Sequence, residues 1–226
     1  MAMTMMAAAF SESGKSAKTD APALLYMGQA SIRIVTVEGK VIYIDPYAGS
    51  ADHYGLAADL ILVTHAHFDH SAVEKVTKRN ADCRIITHRE AVVNGKHQTF
   101  SLGFVTVEAV EAGYNRWHDV RDCAGYVLTF SDGESVYVSG DTSTTKQMTE
   151  LSKKHIGYAF FCCDGVYNMG LEEAARCAVL VGAKHNIPYH NATTSSGLPF
   201  DRKRAEQFSA PNRMIVDIGA EIRLEK

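Results

Sequence analysis

The chain of 226 residues lacks the features that would assign it to a membrane or nucleic-acid-binding class. No apolar run approaches the roughly 20 residues that a membrane-spanning helix needs, so we expect no membrane span. The net charge is only -3, and one basic cluster, Arg202-Lys203-Arg204, stands out. We interpret that cluster as the solvated face of a surface helix, because a nucleic-acid footprint needs a broader positive surface.

The chain also lacks a thiolate motif, although it has five cysteines. Cys162 and Cys163 are adjacent and follow the apolar segment Tyr158 to Phe161. No C-x-x-C spacing supports a metal or redox role for them. We therefore predict that both are buried in a strand, where a free cysteine behaves as a small apolar residue.

The N-terminus lacks the positively charged start of a signal peptide, although Met1 to Phe10 is apolar and a polar tract follows. We predict that residues 1–23 form a flexible extension or the remnant of a signal peptide. The first alternative is compatible with a cytoplasmic location, and the second implies export. Residues 24–226 are predicted to form one domain, since 46% hydrophobic content can build a large core.

Metal ligands are what the chain does have, because His65-Ala66-His67-Phe68-Asp69-His70 contains four in six residues. This stretch follows the apolar run Leu60 to Val63, which predicts a buried strand with the ligands in the loop at its carboxyl end. The first two histidines are two residues apart in extended backbone, so they can point toward one ion. Asp69 and His70 are adjacent and diverge, so the same loop can reach a second ion.

This pattern, H-x-H-x-D-H after an apolar strand, resembles the signature of the metallo-β-lactamase superfamily of binuclear metallohydrolases. That superfamily continues with a third histidine, an aspartate at a strand end and a final histidine. The chain offers His118, Asp141 and His190 in that order. The resemblance extends over most of the chain, from about residue 24 to residue 224.

Five short segments resemble one branch of the superfamily, the ascorbate-6-phosphate lactonase-like proteins. They are Tyr114-Asn115, Gly140-Asp141-Thr142, Tyr167-Asn168-Met169, Glu172-Glu173-Ala174-Ala175 and Ile187-Pro188-Tyr189-His190. Relatives in that branch usually have an aspartate where this chain has Gly170, and a longer segment before the third histidine. Both departures bear on the substrate and not on the metal ligands.

The resemblance implies an α/β fold, specifically a four-layer αββα sandwich with the metal site at one edge of the sheets. It implies two divalent ions, zinc or, because the second site mixes oxygen and nitrogen ligands, manganese. The implied ligands are His65, His67 and His118 for the first ion, Asp69, His70 and His190 for the second, and Asp141 as the bridge. Three imidazoles leave a coordination position open on the first ion, which is typical of a catalytic site.

The chemistry implied by such a centre is hydrolysis. A water shared by two divalent ions loses a proton at about pH 7, so we expect a metal-bridged hydroxide as nucleophile, with Asp69 as the catalytic residue that orients it. The predicted substrate is a small, anionic ester, lactone or phosphoester, with no nucleic-acid partner. The alternative is a non-hydrolytic di-metal protein, redox or metal-binding, on the same fold. The oligomeric state stays open.

Several further residues are predicted to support the site. Asp45 follows a predicted strand and resembles the family's aspartate behind the histidine loop; the alternative is an ordinary turn residue. Asn115, Tyr167 and Asn168 are predicted to lie behind the ligands or to face the substrate. Trp117, beside the third histidine, would wall the site or lie on the surface.

Periodicity and turn residues predict strands first in hairpins and then interleaved with helices. The predicted strands are Ser31 to Val37, Val41 to Ile44, Arg84 to Thr87, Phe104 to Val110, Tyr126 to Phe130, Ser135 to Val138, Arg213 to Val216 and Glu221 to Leu224. The predicted helices are Ser71 to Arg79, opened by a capping box, Thr144 to Lys154, and Leu171 to Val181, ended by Gly182.

Overall fold

The computed structural model describes residues 19–225. Most of the predicted N-terminal extension, residues 1–18, lies outside the described residues. Where the description begins, the Thr19 amide donates a hydrogen bond to the Val37 carbonyl at 3.2 Å. Within residues 19–225, no helix is both long enough and apolar enough to cross a bilayer.

Fourteen strands form the framework of the described residues. In chain order they are β1 (Ala23–Gly28), β2 (Ser31–Val35), β3 (Val41–Ile44), β4 (Ala58–Leu62), β5 (Arg79–Ile86), β6 (Val92–Val93), β7 (Lys96–His97), β8 (Thr99–Ser101), β9 (Val105–Glu111), β10 (Ala124–Phe130), β11 (Ser135–Val138), β12 (Tyr158–Cys162), β13 (His185–Tyr189) and β14 (Glu221–Arg223). The first sheet has the order β14-β1-β2-β3-β4-β5, and the second has the order β13-β12-β11-β10-β9-β8. Strands β6 and β7 pair separately.

Helices in the described residues are few and short. The α-helices are α1 (His88–Ala91), α2 (Met148–Leu151), α3 (Leu171–Val181) and α4 (Arg202–Ala205). Single 3-10 turns occupy Ala51–Tyr54, Val73–Lys75, Ser152–Lys154 and Thr194–Ser196. The expected basic surface helix is α4, which carries Arg202 to Arg204.

The two large sheets share one apolar core. Alternate residues of β3 separate cleanly, because Ile42 and Ile44 join the core between the sheets while Val41 and Tyr43 join a smaller cluster on the outer face. This two-residue period follows from strand geometry, in which successive side chains point to opposite faces. Both faces of the first sheet are therefore covered, as a layered sandwich requires.

The outer layers of the sandwich differ between the two sheets. Helix α3 packs on β12 of the second sheet, with α2 beside it. Its predicted bounds are confirmed, and Gly182 ends it with φ at +65°. On the first sheet the outer cluster is closed by single turns such as Ala51–Tyr54, whose Tyr54 is buried in it. The predicted αββα arrangement is confirmed as mixed α/β, with a thin outer layer on the first sheet.

The helix predicted from Ser71 to Arg79 is wrong. Only Val73–Lys75 forms a 3-10 turn, and Arg79 already begins β5. Ser71 does not cap it, because its hydroxyl donates to the His67 carbonyl at 2.9 Å and thereby tightens the histidine loop. A true capping box lies at Thr87, where Glu90 completes it at the start of α1.

Other element predictions are corrected at their ends. The predicted helix Thr144 to Lys154 begins only at Met148, and its last turn is 3-10. Arg213 to Val216 is not a strand, since Arg213 makes only an isolated bridge with Asn186. Strand β1 was not predicted, because Ala23–Gly28 is apolar at nearly every position and shows no alternation.

The cysteine interpretation is confirmed for the burial of both thiols, although Cys163 lies one residue beyond the strand. Cys162 ends β12, and both Cys162 and Cys163 are fully buried and free. Burial raises the pKa of the Cys163 thiol to about 12 and raises that of Cys162 well above its usual value. Both thiols are therefore protonated and unreactive at neutral pH.

Candidate metal centre

Parallel strands of both sheets deliver the predicted ligands to one edge of the sandwich. In the first sheet β3 and β4 run parallel, with Ile44 opposite Leu62 at their carboxyl ends. In the second sheet β11, β12 and β13 also run parallel. The loops that follow these strands bring Asp141 and His190 to the histidines after β4. Such strand ends are where α/β sheets place their ligands.

The loop from His65 to His70 is fixed from behind by Asp45. One oxygen of this carboxylate accepts the Thr64 amide at 2.7 Å. The other accepts the Thr64 hydroxyl at 2.7 Å and the His70 Nδ1–H at 2.8 Å. Asp45 has φ at +45°, a conformation that costs a non-glycine residue free energy. The three bonds offset that cost and hold His70 with Nε2 facing the other ligands.

A tight turn at Gly140 delivers Asp141. Gly140 has φ at +60°, and a Cβ there would lie 2.9 Å from the Ala124 carbonyl oxygen. Only glycine fits this approach between β10 and the loop after β11. The adjacent Thr64 side chain closes the same space from the first sheet. The turn therefore brings a carboxylate of the second sheet against the histidine loop of the first.

Three imidazoles converge to form a first group. His65 Nε2 lies 3.0 Å from His67 Nδ1, and His118 Nε2 lies 3.2 Å from the same Nδ1. His65 and His118 are buried, whereas His67 is exposed. The group thus has two fixed members inside and one member facing solvent.

A second group lies deeper. His70 Nε2 is 3.1 Å from His190 Nε2, and an Asp69 oxygen is 3.6 Å from the latter. His70 and His190 are buried. His190 has φ at +40° directly after β13, so its backbone is strained at the same edge as that of Asp45. Strained residues of this kind concentrate at functional sites.

Asp141 lies between the two groups. Its Oδ2 is 3.3 Å from His118 Nε2 and 4.0 Å from His65 Nε2. Its Oδ1 is 3.3 Å from His70 Nε2 and 3.5 Å from His190 Nε2. Each carboxylate oxygen thus faces one group, which is the arrangement that a bridging ligand needs. The seven residues predicted as ligands all meet here.

The electrostatics of the second group favour positive charge at its centre. Burial alone would raise the pKa of Asp141, but the nearby His190 and His70 hold it well below its usual range. The pKa of Asp69 is also lowered, because hydrogen bonding and charge from His190 and His70 outweigh burial. In return Asp141 raises the pKa values of His70 and His190 against the effect of burial.

The first group has the opposite character. Burial, reinforced by the neighbouring histidines, lowers the pKa of His65 well below its ordinary value. The pKa of His67 is lowered for the same reasons. Both imidazoles are therefore neutral at pH 7, and a neutral imidazole is the form that binds a metal ion.

The donor atoms fit divalent metal ions. The first group supplies three imidazole nitrogens and Asp141 Oδ2, and the second supplies two nitrogens with oxygens from Asp69 and Asp141. Asp141 Oδ1 is buried without a hydrogen-bond donor, so it has a lone pair to spare for a cation. Nitrogen-rich sets with carboxylate oxygen suit zinc, and the mixed second set also suits manganese.

Asn115 orients His118. Its Oδ1 accepts the amides of Trp117 and His118 at 2.9 and 3.1 Å, and lies 3.1 Å from His118 Nδ1. With Nδ1–H donated to Asn115, Nε2 of His118 is left to face the first group. Such outer contacts select the tautomer of a metal-binding histidine. Asn115 was predicted to lie near the ligands, and it contacts one directly.

Asn168 orients Asp141. Its amide donates to Asp141 Oδ2 at 2.8 Å and to Asp164 Oδ2 at 2.7 Å. Asp164 also accepts the amides of Val166 and Tyr167, so it fixes the loop after β12. Asn168 therefore contacts a predicted ligand, whereas Tyr167 points to solvent beside it.

A cavity of about 290 Å³ opens above both groups. Its lining residues are His67, Phe68, Asp69, Trp117, His118, Asp141, Tyr167, His190 and Thr194. Members of both ligand groups face this space, so a substrate that enters it reaches the whole centre. Trp117 and Tyr167 lie in its wall. That they contact a substrate stays a prediction.

Gln29 contacts the second group and was not predicted. Its side-chain amide donates to Asp69 Oδ2 at 3.4 Å, while its backbone carbonyl accepts the His190 amide at 3.0 Å. Gln29 is buried, has φ at +50°, and connects β1 to β2. Gln29 belongs to no recognised sequence motif. Its position directly after the apolar segment that forms β1 is the feature that could have indicated a place at the end of a strand.

Comparison with known proteins assigns the family. The family described as beta-lactamase superfamily domain matches residues 23–190. A UPF0173 metal-dependent hydrolase of Oenococcus oeni is 29% identical, over 88% of this chain and 98% of its own length. A second of that name, from Methanoregula boonei, is 30% identical, over 75% of this chain and 82% of its own length.

A solved structure shows the same fold. Igni18, a metallo hydrolase from Ignicoccus hospitalis, superposes with a TM-score of 0.70 at 20% identity, over 91% of this chain and 99% of its own. These relatives do not single out the ascorbate-6-phosphate lactonase-like branch, which stays a prediction. The histidine motif, the sandwich and the family match agree: the chain belongs to the beta-lactamase superfamily, the metallo-β-lactamase superfamily that its sequence resembles.

Proposed function

We propose that this protein is a binuclear metal-dependent hydrolase that cleaves a small ester, lactone or phosphoester. The observation that carries the proposal is the position of Asp141, whose two oxygens face two separate groups of ligand atoms. A carboxylate between two such groups is suited to hold two ions side by side. The names of the relatives support metal-dependent hydrolysis in general terms.

The proposed ligands are those predicted from the sequence. His65, His67 and His118 would hold one ion, Asp69, His70 and His190 the other, and Asp141 both. When bound, two divalent ions acidify the water between them and polarise the bond to be cleaved.

The chain's own groups would perform the remaining tasks. Asp69 is ionised, because its pKa is lowered, and it lines the cavity, so its carboxylate can accept a hydrogen bond from the attacking water and orient it. Asn115 and Asp45 hold His118 and His70 in the tautomers that leave Nε2 free. Asn168 keeps Asp141 in place.

The scissile bond reaches the centre through the cavity above it. Phe68, Trp117 and Tyr167 border this cavity, and a substrate that fills it would displace water from the reacting group and so strengthen electrostatic interactions there. The predicted anionic character of the substrate finds no matching Lys or Arg among the lining residues. The negative charge of an anionic substrate would therefore be compensated by the metal ions alone.

A metal-replete activity screen tests the function. Purified protein is loaded with zinc or manganese, dialysed mildly and assayed on carboxylic esters, lactones, phosphomonoesters and phosphodiesters. We expect about two equivalents of metal per chain by elemental analysis, and turnover on at least one class. One equivalent or fewer in supplemented protein would contradict the binuclear centre.

The same experiment addresses the alternative drawn from the sequence. A non-hydrolytic redox protein on this fold would retain iron, change its absorption spectrum on reduction and hydrolyse none of the substrates. Hydrolysis that disappears on chelation and returns with zinc would exclude that alternative.

A further inference from the structure

Exposed aromatic side chains concentrate at the mouth of the metal centre. Phe68, Trp117 and Tyr167 are 65%, 46% and 38% exposed, and all three line the cavity of about 290 Å³. Large apolar side chains that share one exposed patch usually mark a binding surface. The protein keeps these rings in water beside its ligand groups, although their burial elsewhere would stabilise the fold.

The rings are held in place by loops that also carry the site. The Trp117 amide is bound by Asn115, and the Tyr167 amide is bound by Asp164 at 2.7 Å. The two rings meet edge to face with their centroids 5.4 Å apart. A positioned aromatic pair binds a further flat group with little loss of side-chain freedom.

Phe68 supplies the third ring. It lies between the second and third ligands of the histidine motif and packs edge to face on Tyr47, with centroids 5.7 Å apart. It too belongs to the cavity lining. The cavity is therefore bordered by rings from the histidine loop, from the Trp117 loop and from the loop after β12.

Positive side chains do not line this cavity. The lining residues include no Lys or Arg, and the acidic members, Asp69 and Asp141, are candidate ligands. The Arg116 guanidinium lies over the indole of Trp117, 4.5 Å from the ring centroid. Arg116 is exposed and does not line the cavity. Away from the ligand groups, the space offers aromatic surface and the hydroxyl of Thr194, and no cationic partner for a second anionic group.

We propose that the substrate is a carboxylic ester or lactone bearing an uncharged aryl group. The aryl group binds among Phe68, Trp117 and Tyr167, while the scissile carbonyl lies at the ligand groups. Water adds to the carbonyl carbon and the bond to the alkoxy oxygen breaks. One proton of the water passes to the alkoxy oxygen and the other to solvent, so the products are the carboxylate and the alcohol, joined in one molecule when the substrate is a lactone. The position of the scissile bond rests on the proposed function, but binding of the aryl group does not.

Fluorescence of Trp117 measures binding directly, because it is the only tryptophan in the chain. The probes are phenylacetamide and hexanamide, neutral amides of similar length, added to metal-replete protein. We expect a saturable signal with phenylacetamide and a dissociation constant at least about threefold lower than for hexanamide. Equal affinities, or no saturable signal with phenylacetamide, would overturn the proposal.

Variants locate the binding site. Tyr167→Ala should weaken phenylacetamide binding about three- to tenfold on the same tryptophan signal. The matched control is Tyr114→Ala, because Tyr114 is 44% exposed and lies outside the cavity lining. An unchanged affinity in Tyr167→Ala, or an equal loss in Tyr114→Ala, would place the aryl group elsewhere and refute the proposal.

Turnover separates this inference from the proposed function. Methyl phenylacetate should give a higher kcat/KM than methyl hexanoate, and monomethyl adipate, with its distal carboxylate, the lowest. Tyr167→Ala should raise KM for methyl phenylacetate without changing metal content. Hydrolysis of all three esters at equal efficiency would overturn the aryl assignment, and a preference for phosphoesters would overturn the carboxylic ester or lactone. Either result would leave the hydrolase standing. Binding of phenylacetamide without hydrolysis of any substrate would contradict the hydrolase and support the aryl site.

Discussion

The two ligand groups share Asp141 yet differ in charge. The first group consists of imidazoles, and the lowered pKa values of His65 and His67 keep these neutral. The second group contains Asp69. Against the effect of burial, Asp141 raises the pKa values of His70 and His190, together with Asp45 at His70 and Asp69 at His190. A cation in the second group would take the place of protons that the acids there already attract to His70 and His190. A cation in the first group would be held by neutral imidazoles and by the shared Asp141 carboxylate.

The groups also differ in how they are held. His67 of the first group is exposed beside the cavity. The second group is buried and held by the Asp45 carboxylate and the Gln29 backbone. The second group is therefore the more rigidly held of the two, although members of both groups line the cavity.

The largest effect should come from removing what the groups share. Asp141→Ala deletes the oxygens that face both groups, so metal content should fall below about one equivalent and turnover by more than about 100-fold, beyond the usual effect of losing an outer contact. Elemental analysis and a substrate assay measure this. Asp52→Ala, an exposed aspartate in the Ala51–Tyr54 turn, is the control. A variant of Asp141 that retains about two equivalents would show that it does not bridge.

The next effect distinguishes the groups. Asp69→Ala should leave about one equivalent of metal in the first group, because His65, His67 and His118 are intact, while turnover falls more than about 100-fold. His118→Ala should instead release the ion of the first group. Metal analysis of both variants after the same dialysis decides the matter. Near-wild-type turnover in Asp69→Ala would mean that the nucleophile does not depend on this carboxylate.

A smaller effect is expected behind the second group. Asp45→Asn keeps the shape of the side chain but replaces an oxygen that accepts from Thr64 or His70 by an amide donor. Metal affinity or turnover should fall about 10- to 100-fold. The free energy of unfolding should fall by about 1–3 kcal/mol, because a buried donor loses its acceptor. Chemical denaturation and metal titration measure the two effects, and an unchanged metal affinity would make Asp45 an ordinary turn residue.

Much of the centre could be predicted because its chemistry is local. His65, His67, Asp69 and His70 lie in one short segment after an apolar run, so closeness along the chain brings them together. The segment is a loop of bends and turns and not the extended backbone that was expected, and the His70 amide donates to the His67 carbonyl at 3.0 Å. Asp141 and His190 each follow a strand, and parallel strands end at a common edge. The resemblance to the superfamily predicted this convergence, and the parallel strands of the structure explain it.

What could not be predicted depends on competition for the same groups. Ser71 and Glu74 have the spacing of a capping box, but the Ser71 hydroxyl binds the His67 carbonyl instead. Without this hydroxyl as a cap, only Val73–Lys75 forms a 3-10 turn. The chain then continues as β5, which begins at Arg79. A tertiary contact of this kind leaves no trace in the spacing.

The aromatic mouth was predicted only in part, because Trp117 and Tyr167 were each placed at the site as one of two alternatives and Phe68 was given no role. Phe68, Trp117 and Tyr167 lie on three separate loops, and an aromatic residue after a strand is as often part of the core. Their common position appears only once both sheets are assembled. The ligands could be predicted because their residue types and their spacing form a known pattern. The residues of the cavity wall form no such pattern in the sequence.

The smallest effect should come from Gln29, which tests whether the second group depends on its fixed surroundings. Gln29→Leu removes the amide that donates to Asp69 but keeps the backbone carbonyl that binds the His190 amide. We expect turnover to fall about tenfold, which is the smallest loss usually seen when a residue that contacts a metal ligand is replaced. The metal content of the first group should not change. Stability should barely change, because Gln29 Oε1 is buried without a partner and its removal relieves an unsatisfied acceptor.

Gln29→Glu sharpens this test. A second carboxylate beside Asp69 repels its charge, so turnover should fall further than in Gln29→Leu, and metal binding in the second group should change with it. Kinetics and metal titration of the two variants, side by side with wild type, give the ranking. If both variants match the wild type, Asp69 is positioned by the metal and the histidines alone, and the second group does not need the buried support that distinguishes it from the first.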